Sequence, residues 1–391
     1  MGRREKRAYL AKIRDRYRRA SREHKSRILD EFCAVCDYQR KYAIRLLSQR
    51  NAAQHTVRRV GRKPRYHHPD LIRVIRRIWL ATDQMCGKRL KAALPLWLPH
   101  DEAEHGPYGQ EVSELLATIS PASLDRLLRG LRADAPPKGL GGTKPGTLLK
   151  NKIPIRTANW DIELPGYMEA DTVAHCGNSL AGNFVWSLTM TDILTGWTEC
   201  RATWNRGAKG VVTQVQSVEA AIPFPLRGFD CDNGSEFLNH HLLRYFAEHP
   251  QAPGFTRSRP YRKNDNAHVE QKNWSQVRQL FGYDRFDNPM LLELMNDLYA
   301  NEWSLLQNFF CPTLKLKTKT RIGSRYHKTY HAPQTPYERV LACECVADEQ
   351  KQRLRDLAVS LNPLNLKRRI EQKLKGIFQL VPVTPNVRQR I

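Results

Sequence analysis

The sequence predicts a multidomain chain: an all-α N-terminal region of helix-turn-helix type, a mixed α/β core and a mostly helical, basic C-terminal region. Three observations predict it. Charge is uneven along the 391 residues: 1–77 hold 24 Lys/Arg against 7 Asp/Glu, 151–280 hold 13 of each, and 281–391 hold 18 against 11, for a net charge of +25. Apolar residues recur at helical spacing up to about residue 131 and in strand-like runs beyond about residue 165. Between them lies "ADAPPKGLGGTKPGTLLK" (133–150), rich in Pro and Gly and without an apolar period, which reads as a linker. The expected segments are 1–60 (helix-turn-helix), 61–135 (a second helical DNA-binding or packing module), 136–155 (linker), 156–285 (core) and 286–391 (C-terminal region).

From Ser21, Ile28, Leu29, Phe32 and Val35 mark one helix, a break falls near Asp37, and Tyr42, Ala43, Leu46 and Leu47 mark a second. The second helix carries Arg40, Lys41 and Arg45 on its polar side, the groups a helix in a major groove presents to phosphates and base edges. In "VRRVGRKPRYHHPD", Gly and Pro oppose a helix, and Arg62, Lys63 and Arg65 form an extended basic stretch suited to a minor groove. Leu71, Val74, Ile75, Ile78 and Trp79 predict a further helix before "GKRLKAALPLWL", and Ser120 with Pro121 opens another as N-cap and first helical residue. Beyond the linker, strands are expected at 167–174, 184–191, 197–204, up to Asp232 and near 254–259, with helices at 207–221, 235–248 and 266–281. Three strands followed by alternating helices and strands make a mixed sheet with an antiparallel half. Further on come a helix over 289–309, a basic loop, and helices over 347–360 and 363–378.

Basic arms around a neutral centre suggest arms that bind a polyanion and a centre with another task. The start "MGRREKRAYL" lacks an apolar signal core, and the longest uncharged run, Thr172 to Thr191, is rich in polar residues, so neither secretion nor membrane insertion is expected. Nine scattered cysteines, an odd number, fit a reducing cytoplasm better than a disulfide framework. Cys33 with Cys36 and Cys343 with Cys345 each lack the second pair that a zinc site needs. An EF-hand reading of "DCDNGSEF" fails because His241 stands where the closing glutamate belongs.

Within the neutral core, Asp171 sits in the strand "YMEADTVAH", where Asp is otherwise depleted; Asp232 ends a strand; and Glu270 opens a helix behind the basic loop "RSRPYRKND". From the residues alone two explanations stand. The three converge on hard cations such as Mg²⁺ or Mn²⁺, or each is explained locally, Asp232 by its turn and Glu270 by the positive end of its helix.

"EADTVAH", "DCDNGSEF" and "RPYRKNDNAHVEQKN", in that order and with 60 and 37 residues between the acids, resemble the three signatures of the catalytic core shared by retroviral integrases and bacterial insertion-sequence transposases, the DDE group with a ribonuclease H-like fold. The likeness covers roughly residues 160–285. It implies a bacterial, cytoplasmic DNA transposase that binds the ends of a mobile element, cuts DNA and joins strands, and works as a homo-oligomer. It further implies that Asp171, Asp232 and Glu270 are both catalytic residues and ligands of two Mg²⁺ (or Mn²⁺) ions. Arg262, Lys263, Lys272 and Asn273, flanking Glu270, are then expected to hold the DNA backbone. Asp230, two residues before Asp232 on the same strand face, and His175, four after Asp171, are expected just behind the ligands. Glu236 is expected in the first turn of a helix capped by Ser235, outside the chemistry. The alternatives are a nuclease of this fold without strand transfer and a DNA-binding regulator with an inactive core.

Overall fold

The computed structural model of the chain describes residues 2–48, 65–131, 162–232, 234–258, 267–322 and 325–381. Arg62, Lys63, Arg262, Lys263 and the linker 136–155 lie outside the described residues. The chain divides into two compact units, Met1–Arg65 and Tyr66–Ile391.

Among its described residues the first unit has three helices, α1 (Arg3–Arg19), α2 (Arg22–Cys36) and α3 (Arg40–Ser48). The sequence reading missed α1, whose dense charge hides an apolar spacing of four, Tyr9, Ile13 and Tyr17. Ile13 and Tyr17 close over Ile28, Leu29, Phe32, Cys36, Ala43 and Leu47. Asp37 ends α2 in the left-handed region at φ 52°, the expected break. Val35 and Tyr42, expected on the apolar faces, are exposed, and Cys36 takes the inward place.

In the second unit, α4 (Pro69–Ala81), α5 (Gly87–His105), α6 (Gln110–Thr118) and α7 (Pro121–Leu127) form a helical layer. Ser120 caps α7, accepting from the Ser123 amide at 3.2 Å. This layer does not stand apart. The Trp97 indole donates to the Phe310 carbonyl at 3.0 Å, and Arg89 to the Pro312 carbonyl at 2.6 Å. The segments expected as second module, core and C-terminal region therefore share one hydrophobic core.

The sheet comprises β1 (Tyr167–Ala174), β2 (Val185–Asp192), β3 (Thr198–Trp204), β4 (Gly228–Cys231) and β5 (Gly254–Arg257), in the order β3-β2-β1-β4-β5. β1, β2 and β3 are antiparallel; β4 is parallel to β1, and β5 to β4. This is the expected mixed sheet with an antiparallel half. Period-two alternation gives the sheet two unlike faces. Met168, Ala170, Leu188, Phe229 and Cys231 line one, with α8 (Ala208–Ala221) packing through Val211, Val215 and Val218, and α9 (His240–Glu248) through Phe246. The other face carries Glu169, Asp171, Asp230 and His175 and is covered over β1 by α10 (Ala267–Lys272), a π-helical turn Asn273–Arg278, and α11 (Gln279–Phe281).

Two expectations change here. α9 starts at His240 under an Asn239 cap, not at Ser235, because Glu236 turns inward rather than entering a helix. The expected basic loop is a hairpin, β6 (Leu316–Ile322) and β7 (Arg325–Tyr330), so the C-terminal region is not wholly helical. The alternation in "LKLKTKTRI" was the strand signal. The helix expected over 289–309 is α12 (Leu291–Leu298), a π turn Tyr299–Trp303, and α13 (Ser304–Phe310). α14 (Pro336–Ala342), α15 (Asp348–Ser360) and α16 (Pro363–Gln379) follow, the last two where helices were expected. No helix of the described residues is long and apolar enough to cross a membrane.

Candidate active site

β1 and β4 are the central parallel pair, and the chain leaves their carboxyl ends in opposite directions, the place where open α/β sheets bind ligands. Ala170 pairs with Cys231. Asp171 follows Ala170 within β1 and Asp232 follows Cys231 directly after β4, and the two acids are close enough for the charge of Asp232 to act on Asp171. The Asp232 carboxylate accepts from the Gly234 amide at 2.8 Å, which fixes it as the chain turns away from the sheet. The Asp171 carboxylate accepts from the Thr172 amide at 2.7 Å and from the Asn273 side chain at 2.6 Å.

Both carboxyls are pushed well above the ordinary aspartate range. For Asp171 the causes are burial and then the neighbouring Asp232; for Asp232 they are burial and then Glu236, with Glu270 adding to the effect and Arg206 opposing it. Asp232 thus acts on Asp171, and Glu270 on Asp232, although Glu270 is exposed on α10 and no three His, Cys, Asp or Glu among the described residues close into a metal-sized cluster.

Two further acids complete the site: Glu236, expected in the first turn of a helix and outside the chemistry, and Glu169, for which the sequence raised no expectation. Glu236 is buried, accepts from the Thr172 hydroxyl at 2.7 Å and pairs with Arg206 at 3.3 Å. Arg206 in turn stacks 4.0 Å above the Trp186 ring. A Cβ at Gly234 would lie 2.6 Å from the Glu236 carboxyl carbon, so the glycine of "DNG" makes room for this acid. Its signal in the sequence was that glycine, next to an acid two residues on. Glu169 is also buried; its carboxylate accepts from the His268 and Val269 amides at 3.1 and 3.2 Å, at the start of the helix that carries Glu270. Its signal was a charged residue at an inward position of a strand two residues before Asp171.

The other expected residues are placed as follows. Asp230 is buried, faces Glu169 and Thr256 across the sheet and accepts from the Thr256 hydroxyl. His175 does not approach the acids. It lies between Phe281 and Phe286, meets the Ser187 hydroxyl at 2.8 Å, and has its pKa pushed down to about 3 by burial, then by Arg278. A core histidine at the far end of β1 satisfies the same period-two spacing. The helix brings Asn273, not Lys272, to Asp171. The Lys272 amine donates to the Gly196 carbonyl at 3.3 Å and is pushed down to about 7 by burial, then by Arg89 and Arg339, so it lies with the interior rather than at the acids. In the first unit, Arg40 is held by Asp30 and by Ser26 on α2, Lys41 is exposed, and Arg45 stacks on Tyr42 at 5.1 Å. Arg65 is exposed.

No family model matches the chain. It is 40% identical over 332 residues to an uncharacterized protein, y4rM, of Sinorhizobium fredii (strain NBRC 101917 / NGR234), spanning 84% of this chain and 92% of that one. The chain belongs to the y4rM family. Among solved structures, this y4rM-family chain is similar to the catalytic core domain of BIV integrase, at 15% identity and a TM-score of 0.28, over 44% of this chain and 91% of that one.

The donor set of the y4rM-family site fits a small divalent cation. Two half-buried aspartates whose burial and mutual repulsion disfavour ionisation are the groups such a charge relieves, and carboxylate oxygens are its preferred ligands.

Proposed function

We propose that this chain is a DNA transposase: the basic arms bind element ends and target, and the core performs metal-dependent cleavage and strand transfer. The observation that carries the reading is the juxtaposition of Asp171, on β1, and Asp232, directly after the parallel strand β4, near the helix that carries Glu270. These three acids would hold Mg²⁺ or Mn²⁺. When bound, such ions activate the attacking oxygen and neutralise charge on the leaving oxygen of an in-line phosphoryl transfer. The chain's own contribution is positioning. Asn273 and the Thr172 amide orient Asp171, the Gly234 amide orients Asp232, and Glu169 holds the start of α10. Lys41 and Arg45 on α3, with Arg62, Lys63, Arg65, Arg262 and Lys263, are proposed DNA contacts, and pairing of two element ends favours a homo-oligomer.

The test is incubation of the purified protein with Mg²⁺, DNA carrying the sequences that flank its gene, and a target plasmid. Cut and joined products are expected. Asp232→Asn should abolish both and leave DNA binding intact. Cut ends without joined product would point to a nuclease instead, and full activity of the variant would sink the assignment of the acids.

A further inference from the structure

Among the described residues the β6–β7 hairpin is open to solvent along its length: every residue of β6 and all but Thr329 of β7 are exposed. A lone two-stranded ribbon is marginal in water, so its base must be held and its faces need a reason to exist. The base is held firmly. Arg339 donates to the Thr195 carbonyl at 3.0 Å and to the Thr313 hydroxyl and carbonyl at 2.7 and 2.6 Å; Lys315 donates to the Leu194 carbonyl at 2.8 Å; and Thr313 bridges Gln334.

The two faces differ. Register places Lys319 opposite Lys328 and Arg321 opposite Tyr326 on one face, with Thr318, Thr320, His327 and Thr329 on the other. The Lys319 amine lies 4.9 Å from the Tyr326 ring centre, and that ring is 57% exposed. Residues 314–331 hold six Lys/Arg and no acid. No ion pair among the described residues engages Lys319 or Lys328. Like charges directly opposite on a strand pair destabilise it, and residues 314–331 contain no acid to neutralise them. An external polyanion would.

We propose that this ribbon is a second DNA-binding element, entering a groove of duplex DNA with its Lys319–Arg321–Lys328 face towards the phosphates. A two-stranded ribbon fits the width of the B-DNA major groove, and an aromatic ring beneath an amine adds an apolar surface for sugar or base edges. The proposal rests on the reading of the chain as a DNA-processing enzyme, but its test does not depend on catalysis.

The test compares the full-length protein with the Lys319→Gln/Arg321→Gln/Lys328→Gln variant, by fluorescence anisotropy on a labelled duplex of arbitrary sequence at several salt concentrations. Each lost phosphate contact lowers the log–log salt slope by about 0.9, so a decrease of roughly 2 to 3 is expected, with weaker binding at low salt. An unchanged slope overturns the proposal. So does a variant that binds DNA normally but loses self-association in sedimentation, because the ribbon would then serve a second copy of the chain, or one that loses binding to RNA alone. A Lys319→Arg/Lys328→Arg variant should keep the wild-type slope, which separates charge from damage to the hairpin. The Asp232→Asn protein should show the wild-type slope as well; if no cleavage is found for any protein while the ribbon variant still loses slope, the catalytic reading fails and the ribbon assignment stands.

Discussion

Glu169 couples the strand that carries Asp171 to the helix that carries Glu270, and Glu169→Gln measures that coupling. The wild-type carboxylate accepts from two amides, His268 and Val269, which no residue of the helix itself can satisfy. Glutamine keeps the volume and one acceptor oxygen but removes the charge at the positive end of the helix. Losing the charge costs about 0.3–1 kcal/mol at an exposed helix start and up to about 2 kcal/mol at a buried one. A local loss of about 1–2 kcal/mol follows, which raises the opening constant of the first helical turn roughly 5- to 30-fold. Global stability should fall by less, because the substitution also removes a carboxylate facing Asp230 across the strands. Hydrogen exchange followed by mass spectrometry reads this directly: amides of 267–272 lose protection while those of β1–β3 keep theirs. Unchanged exchange in 267–272, or an equal loss throughout the second unit, would refute the coupling.

Asp230→Asn should lower metal-dependent activity about 10- to 100-fold, in the manner of a group that supports a ligand, whereas Asp232→Asn should leave none; joined-product assays on both variants rank them. Gly234→Ala forces the Glu236 carboxylate to move, costing about 1–3 kcal/mol in urea unfolding, and Gly234→Ala/Glu236→Ala should recover part of that loss, since the clash is between those two positions. His175 titrates near 6.5 when unfolded and near 3 when folded, so the unfolded chain binds more protons between those values and stability falls as pH drops through that window. At pH 5 the cost is about 2 kcal/mol, at 1.36 kcal/mol per unit, and His175→Gln should remove that part of the pH dependence; equal slopes for both proteins would count against a buried neutral imidazole.

Where a residue's neighbours lie along the chain, the sequence reading was good. The Asp37 break, the Ser120 cap and the boundaries of β1, β2 and β3 to within a residue followed from local rules. Asp171 stood out because it occupies a strand position that disfavours an acid, and Asp232 because it follows a strand directly before Asn233-Gly234. Failures came where distant segments decide. Glu236 looked like a first-turn helix acid until Thr172 and Arg206 drew it inward. Lys272 and Asn273 are adjacent in sequence, and only the course of the helix over the sheet separates the amine at Gly196 from the amide at Asp171. His175 shares the period of Asp171 but ends under two phenylalanines. α1 was hidden because helical spacing of three apolar residues is faint among many charges.

The docking of α5 onto the C-terminal helices has a practical consequence. Trp97 and Arg89 reach Phe310 and Pro312, while Asp83 and Glu104 pair with Lys367 and Arg368 on α16, so residues before 132 and after 161 hold one another directly. A chain severed there should stay assembled. Expressed together as two polypeptides, 1–131 and 162–391 should copurify and reconstitute the second unit, a split form in which the N-terminal piece can be exchanged or labelled independently of the acids in the sheet.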